Sequence, residues 1–258
     1  LHPQRVVFAE GGNPTMLKAA VQAKAEGICQ PILLGNPDRL NRVASRLKLD
    51  LSDIEIIDMR ADNEQGRRAT FAKHLAEKRA REGYTFEEAY DKMYERNYFG
   101  MSLVEQGDAD AFITGLYTKY SNTIKVAKEV IGIRSEFKTF GTMHILNTQK
   151  GVFYIADTLI NRHPDEDVLT DIAKLSAHTV KFFNEEPVIA MLSYSTKGSA
   201  KDAINKETGK SVYVIDKVKD AVSIAHEKYP ELHVDGELQA DAALVPAVAT
   251  KKAPGSSV

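Results

Sequence analysis

The sequence lacks the features that several classes of protein require. It has one cysteine, Cys29, so no disulfide can form within its 258 residues and a reducing compartment is expected. Its 34 basic residues are balanced by 36 acidic ones, which leaves no positive surplus for sequence-independent binding of nucleic acid. No apolar run approaches the roughly 18 to 20 residues that span a bilayer, and nothing at the amino end resembles a signal peptide. We therefore expect a soluble, cytoplasmic protein with no membrane or nucleic-acid partner.

Sequence patterns for metals and nucleotides are also missing. The seven histidines are scattered, with no pair four residues apart and no cysteine beside them, so we expect no metal site. Gly11 and Gly12 follow the first predicted strand without the other glycines of a dinucleotide-binding loop. The tripeptide Gly-Lys-Ser at 209–211 resembles the end of a P-loop, but Ile204 stands where that loop requires glycine. Neither stretch matches its motif.

What the sequence does contain is an alternation of strand and helix patterns over the first 135 residues. Apolar runs such as 5–9 and 109–114 are separated by stretches with the 3.6-residue periodicity of helices. One long helix is predicted over 86–106, and Thr85 with Glu88 fits a capping box at its start. This alternation predicts a parallel sheet with helices on both faces.

The pattern changes near residue 138. Two β-rich runs, 139–146 and 152–156, flank a turn that contains glycine, which predicts a hairpin. Helix and strand patterns alternate again beyond it. We therefore predict an α/β protein of two α/β/α lobes, at 1–138 and 139–258, with hairpin 139–156 in the second lobe.

Two polar loops follow predicted core strands and are the candidate binding sites. Ligands of open α/β sheets bind beyond the carboxyl ends of the strands, where helix amino termini favour anions. The candidate residues are Thr114, Gly115, Tyr120, Ser121, Thr123 and Lys125 in the first loop and Tyr194, Ser195, Thr196, Lys197 and Gly198 in the second. Taken singly, each loop is equally consistent with a helix cap or a plain connection.

A third polar cluster, formed by Lys78, Arg79 and Arg81, ends a predicted helix. Cations in this position commonly stabilise the carboxyl terminus of the helix. Phosphate binding is the alternative, and the residues alone leave both interpretations open.

Several longer stretches are similar to one family. Leu-Ser-Tyr-Ser-Thr-Lys-Gly-Ser-Ala at 192–200 and Asp-Gly-Glu-Leu-Gln-Ala-Asp-Ala-Ala-Leu-Val-Pro at 235–246 resemble the phosphate acetyltransferase family, as do 32–37 and 253–257. A finer likeness, to the acetyltransferase-like domain fused behind a malic enzyme in hybrid NADP-dependent malic enzymes, rests on 96–100, 107–111, 113–116 with Tyr120, 130–132 and 151–158.

The resemblance implies a fold and a ligand. The fold is two α/β/α lobes with a cleft between them, of the isocitrate dehydrogenase-like type, assembled as a dimer or a larger homo-oligomer. The ligand is acetyl-CoA or CoA, bound by the two polar loops and by Arg79 at the phosphate end of the coenzyme. Lys125 stands where the family has an arginine. Because lysine lacks the bidentate fork of arginine, this difference is expected to weaken the binding of an acyl phosphate in particular.

The resemblance leaves two functional hypotheses. The first is an acetyl-CoA-binding regulatory domain of a hybrid malic enzyme, with NADP and a divalent metal bound only by a covalently linked malic domain. The second is a phosphate acetyltransferase that interconverts acetyl-CoA and acetyl phosphate. The family continues beyond the counterpart of Val258 with a serine–arginine pair and an aspartate that serve catalysis. We therefore expect no catalytic residue and no cofactor within these 258 residues, which would bind the thioester without turning it over.

Overall fold

The computed structural model describes residues 3–204, 206–207, 212–256 and 258. Contacts between residues divide the chain into two compact units, Leu1–Gly132 and Ile133–Val258. The lobe boundary predicted between residues 138 and 139 stays a prediction. The Gly-Lys-Ser tripeptide at 209–211 and the last serine of the stretch 253–257 lie outside the described residues.

The first unit is built around a parallel sheet, as the alternating pattern predicts. Its strands pair in the order β3-β2-β1-β4. The strands are β1 (Gln4–Phe8), β2 (Cys29–Leu34), β3 (Glu55–Ile57) and β4 (Ala111–Ile113). The helices are α1 (Pro14–Ala25), α2 (Pro37–Leu47), α3 (Gln65–Lys78), α4 (Phe86–Lys92), α5 (Arg96–Glu105) and α6 (Tyr120–Val130).

Side chains that alternate along the strands give this sheet an apolar core on each face. Val7 and Ile32 pack into one buried cluster with residues of α3, α4, α5 and α6. Val6, Phe8 and Leu33 point the other way and pack into a second cluster with residues of α1 and α2. Successive side chains of a strand face opposite sides, so each face of the sheet packs against its own set of helices. The unit therefore has three layers, a sheet between two layers of helices.

The helix predicted over 86–106 is two helices in the structure. The capping box of Thr85 and Glu88 is confirmed at the start of α4, since each side chain bonds the backbone of the other residue. Glu95 then adopts an extended backbone (φ −96°, ψ 130°), which separates α4 from α5. The apolar periodicity runs through this break, so the pattern gives no sign of it.

The second unit holds two separate pairs of strands among its described residues. Strands β5 (Met143–Thr148) and β6 (Gly151–Ala156) form an antiparallel hairpin, while β7 (Val188–Leu192) and β8 (His233–Leu238) pair in parallel. The helices are α7 (Glu166–Phe182), α8 (Ile215–Lys228), α9 (Ala240–Leu244) and α10 (Pro246–Lys252). The core lies between the parallel pair and the helices α7 and α8, where Ala173, Met191, Val222 and Val234 are buried together.

The hairpin differs from the prediction at its start. The first strand begins at Met143, not at residue 139. Thr139 donates its hydroxyl to Asn161 Oδ1 at 2.8 Å, and the carbonyl of Phe140 accepts from Asn161 Nδ2 at 3.0 Å. These bonds hold residues 139 and 140 against the loop after the hairpin, so they take no part in strand pairing. The helices α9 and α10 had no counterpart in the sequence-based expectation.

Candidate functional site

The strand order of the first unit creates a crevice at the carboxyl ends of β1 and β4. The chain leaves β1 toward β2 on one side, while β4 pairs with the other side of β1. Loops that diverge in this way mark the usual ligand position in open α/β sheets. A cavity of about 600 Å³ lies here, lined by the loops that follow β1, β2, β3 and β4, by the start of α5 and by residues of α2 and α6.

A buried carboxylate, Glu10, joins the loops after β1 and β4. It is 1 % exposed. Its Oε1 accepts from the hydroxyl of Thr114 at 3.1 Å and from the backbone N–H groups of Gly115 and Tyr117 at 3.2 and 3.4 Å. The candidates Thr114 and Gly115 are thus fixed to the β1 end. Glu10 was missed in the sequence, where its signal is a carboxylate placed directly after a buried strand and before Gly11.

The candidates at the start of α6 are differently placed. Tyr120 and Ser121 are exposed, and no hydrogen bond of their hydroxyls is found in the part of the chain that the structure describes. Lys125 is also exposed, and its Nζ lies 3.8 Å from Glu129 Oε1 one helical turn away. Thr123 is different, since its Oγ1 is buried and has no hydrogen-bond partner among the described residues. None of these four side chains lines the cavity among the described residues.

Arg79 lies at the carboxyl end of α6 rather than open to a ligand. Its Nε donates to the carbonyl of Glu129 at 2.7 Å, its Nη2 to that of Lys128, and its Nη1 to Glu82 at 3.1 Å. These carbonyls belong to the last turn of α6, where they lack partners within the helix. The side chain therefore stabilises this helix end, and its phosphate contact stays a prediction.

The carboxylate of Glu129, on the same helix, accepts hydrogen bonds from two tyrosines that lie outside the helix. Glu129 accepts from Tyr84 at 2.6 Å and from Tyr98. Burial together with the neighbouring Glu129 raises the pKa of Tyr84 to about 12 and also raises the pKa of Tyr98. Burial alone would raise the pKa of Glu129, but the two phenols and the charge of Lys125 hold that pKa below its ordinary value. The network ties α6 to the segments that carry the two tyrosines.

In the second unit, the loop after β7 is bonded to the end of β8. Ser195 and Thr196 are buried. Ser195 donates to Glu237 Oε1 at 3.0 Å, and the backbone N–H of Gly198 donates to the same oxygen at 2.7 Å. Thr196 accepts from the backbone N–H of Gln239 at 2.9 Å. The buried hydroxyls therefore shape the loop and do not face solvent.

The exposed side chains of this loop are Tyr194 and Lys197. Tyr194 donates its hydroxyl to Asp202 at 3.2 Å, and Lys197 pairs with Asp235. Burial opposes ionisation of Asp235, but Lys197 and a hydrogen bond from Ser256 hold its pKa below the ordinary value. Asp235, Glu237 and Gln239 were not singled out in the sequence. The sequence could have indicated them, because all three lie within the stretch 235–246 that carries the family resemblance.

The described part of the chain holds neither a membrane-spanning helix nor a cluster of metal ligands. No helix there combines the length and apolar character needed to cross a bilayer. No group of three or more histidine, cysteine, aspartate or glutamate side chains is arranged there to hold a metal ion.

These strands and helices define an α/β protein with parallel strands. The loops after the strands carry hydroxyls, carboxylates and lysines at the place where ligands of open α/β sheets usually lie. The chain belongs to the phosphate acetyl/butaryl transferase family, whose model matches residues 2–258. The family predicted from the sequence stretches is therefore confirmed.

Similar proteins agree with this family. The phosphate acetyltransferase of Bacillus subtilis (strain 168) is 37% identical over 254 residues, which cover 98% of this chain and 74% of that protein. The EutD phosphotransacetylase from Staphylococcus aureus has a solved structure with 32% identity and a TM-score of 0.83, over 99% of this chain and 74% of that one. This structural match confirms the predicted α/β fold. The NADP-dependent malic enzyme of Escherichia coli (strain K12) is 33% identical over 260 residues, which cover 99% of this chain and 32% of that protein.

Proposed function

We propose that this protein is a phosphate acetyltransferase, which interconverts acetyl-CoA and acetyl phosphate. The observation that carries the proposal is the family match over residues 2–258, together with the 37% identity to the Bacillus subtilis phosphate acetyltransferase. In the reaction, the CoA thiolate attacks the acetyl carbon of acetyl phosphate. A carbon–sulfur bond forms, the bond between the acetyl carbon and the bridging oxygen of acetyl phosphate breaks, and inorganic phosphate leaves.

The start of α6 supports binding of the phosphate group. The backbone N–H groups of Tyr120 and Ser121 make no hydrogen bond to another described residue, and both hydroxyls are exposed. The first N–H groups of a helix lack partners inside the helix and favour an anion. Lys125 adds a positive charge one turn further along, with its side chain 66% exposed. We propose that these groups neutralise the phosphate as it leaves or attacks.

The remaining candidates contribute in two ways under this proposal. Tyr194 and Lys197 contact acetyl-CoA, because theirs are the exposed side chains among the candidates of the second loop. Thr114, Gly115, Ser195, Thr196 and Gly198 give the two loops their shape, as their hydrogen bonds indicate. Thr123 stays a candidate whose hydroxyl is buried without a partner among the described residues. Arg79 stays a proposed contact of the coenzyme phosphate, although three of its donors are bonded to Lys128, Glu129 and Glu82.

The expectation of a malic-enzyme regulatory domain is not supported as the main function. The family model names acyl transfer, and so do the Bacillus subtilis and Staphylococcus aureus relatives. The likeness to the Escherichia coli malic enzyme is what remains in favour of that alternative. A linked malic domain, and with it NADP and a divalent metal, has no support from the family match. The expectation that these residues bind the thioester without turning it over gives way to the proposed acetyl transfer, because the family match and the Bacillus subtilis relative favour the transferase alternative. We retain a homo-oligomer, and the cytoplasm on the strength of the free thiol of Cys29.

Lys125→Ala tests the role of the α6 start. We expect the KM for acetyl phosphate to rise about tenfold, because a charged hydrogen bond to phosphate is lost. Lys128→Ala is the matched control, since Lys128 lies exposed on the same helix and its removal changes the net charge equally. Initial rates of acetyl-CoA formation measure both variants. An equal effect of the two substitutions would remove Lys125 from the site.

A further inference from the structure

An ion pair with Glu129 holds Lys125, the side chain that the proposed function assigns to phosphate. Lys125 Nζ lies 3.8 Å from Glu129 Oε1, and the lysine side chain is 66% exposed. No hydrogen bond of this Nζ is found within residues 3–132. Among pairs four residues apart on a helix, the order of lysine before glutamate is the weaker one. Lys125 is therefore held loosely, by a contact that another anion can replace.

The carboxylate of Glu129, by contrast, is firmly fixed. Its side chain is 12% exposed, and its Oε2 accepts from Tyr84 at 2.6 Å and from Tyr98. Tyr98 is itself buried, and its hydroxyl accepts from Lys92 at 3.2 Å. Two donors thus occupy Oε2, and Oε1 is the oxygen that faces Lys125. The carboxylate stays in place whether or not Lys125 is bound to it.

The spacing along α6 places Lys125 between two negative charges once phosphate binds. Ser121, Lys125 and Glu129 follow one another at intervals of four residues, and residues four apart are neighbours on a helix surface. Lys125 therefore has the proposed phosphate position at Ser121 on one side and Glu129 on the other. Its four-carbon stem is flexible, so the ammonium group can turn to either anion. The ligand and Glu129 compete for one cation.

We infer that Glu129 is a positioning residue that lowers the affinity of the site for phosphate by drawing Lys125 toward itself. The inference rests on the proposed function, since it requires a phosphate group at the start of α6. Phosphate carries more negative charge at neutral pH than one carboxylate, so it displaces Glu129 when it binds. When acetyl-CoA is formed, inorganic phosphate is the product. The return of Lys125 to Glu129 then favours its release.

Glu129→Gln removes the competing charge and keeps the hydrogen bonds of the side chain. The amide oxygen can accept from Tyr84 and Tyr98, and the amide N–H₂ then faces Lys125. We expect the KM for acetyl phosphate to fall about threefold to fivefold, the size that an ion pair near the surface allows, with kcat changed less than about twofold. A merely structural role would lower kcat or stability without tightening the binding of phosphate.

Glu77→Gln is the matched control on α3. Lys73 Nζ lies 4.0 Å from Glu77 Oε1, so this pair has the same spacing and the same order as Lys125 and Glu129. Neither residue is among the described residues that line the cavity of the first unit. The substitution removes the same charge and the same kind of pair from a different helix. It should leave the KM for acetyl phosphate unchanged.

A double variant shows whether Glu129 acts through Lys125. Adding Glu129→Gln to Lys125→Ala should leave the KM for acetyl phosphate within about twofold of that of Lys125→Ala alone, because the competing cation is already gone. A melting curve checks that each variant is folded. If Glu129→Gln unfolds the protein, Glu129→Asp draws the carboxylate back by one methylene group. It should tighten the binding of phosphate in the same direction.

Calorimetry with inorganic phosphate tests the inference without turnover. Phosphate should bind folded Glu129→Gln about threefold to fivefold more tightly than wild type. Unchanged or weaker binding would overturn the inference, and so would an equal gain in Glu77→Gln or a gain that persists beside Lys125→Ala. Absence of acetyl transfer together with the predicted change in phosphate affinity would instead remove the proposed activity and leave the role of Glu129 standing.

Discussion

At the residue scale, Asp157 shows how one carboxylate fixes a loop. It follows β6, and its two oxygens accept from the hydroxyl and N–H of Thr142 and from the N–H and side-chain amide of Asn161. The N–H groups of Leu159 and Ile160 point to it as well, at 3.3 and 3.4 Å. Burial alone would raise the pKa of Asp157, but these donors outweigh it and hold the pKa well below its ordinary value. The folded structure therefore stabilises the ionised form of Asp157.

Asp157→Asn should lower the free energy of unfolding by about 1–3 kcal/mol at pH 7, because charge-assisted hydrogen bonds are lost. Since the folded pKa lies below the unfolded value of about 3.9, the contribution is complete above about pH 5 and is lost as the pH falls through and below about 4. The stability difference between wild type and variant should shrink in that acidic range. Urea unfolding followed by circular dichroism measures it.

Glu227→Gln is the control for this prediction. Glu227 is exposed on α8, and no hydrogen bond or ion pair of its side chain is found in the described part of the second unit. Its replacement should change stability by less than about 0.5 kcal/mol. A difference between wild type and Asp157→Asn that stays constant from pH 7 to pH 3 would contradict the assigned role of the charge.

Single residues also set the limit of what the sequence predicts. Thr114 and Ser195 are candidates because of their hydroxyls. The apolar runs before them predicted that both follow a strand, and both do. Their partners Glu10 and Glu237 lie 104 and 42 residues away along the chain. Hydropathy patterns carry no information on such distant pairings. The sequence therefore indicated the loops, while the carboxylates that hold them were found only in three dimensions.

At the element scale, the packing of α5 on the sheet depends on one glycine. A Cβ added at Gly100 would lie 2.8 Å from Phe112 Cδ2, closer still to Cε2 of the same ring, and 3.0 Å from a methyl group of Leu34. The break at Glu95 sets the direction of α5, and Gly100 lets it approach β2 and β4. Neither the break nor the close approach is visible as a change in periodicity, which is why one continuous helix was predicted.

Gly100→Ala should destabilise the protein by about 1–3 kcal/mol, because the helix must move away from Phe112 or the ring must leave its position. Gly66→Ala is the matched control in α3, where an added Cβ meets nothing within 4 Å. That substitution should be neutral or stabilise by up to about 1 kcal/mol, since alanine has the higher helix propensity. Thermal unfolding of the two variants checks both signs. Equal effects would show that the contact with Phe112 has no energetic role.

At the scale of the whole molecule, two α/β units each carry polar loops at the carboxyl ends of parallel strands. The first has the start of α6 at Tyr120 and Ser121, which we propose binds an anion, and the second has a loop held to Glu237. The alternation of strand and helix patterns predicted this class of fold, and the stretches 192–200 and 235–246 predicted the family. The finer assignment to a malic enzyme rested on short stretches of a few residues each, and the family match does not support it.

The central claim is that this protein transfers acetyl groups between CoA and phosphate. The most direct measurement incubates the purified protein with acetyl phosphate and CoA and follows acetyl-CoA formation, beside a parallel assay of NADP reduction with malate. We predict acetyl-CoA formation that depends on protein concentration, and no malate-dependent reduction of NADP. Reduction of NADP by malate without acetyl-CoA formation would contradict the account and favour the malic-enzyme alternative.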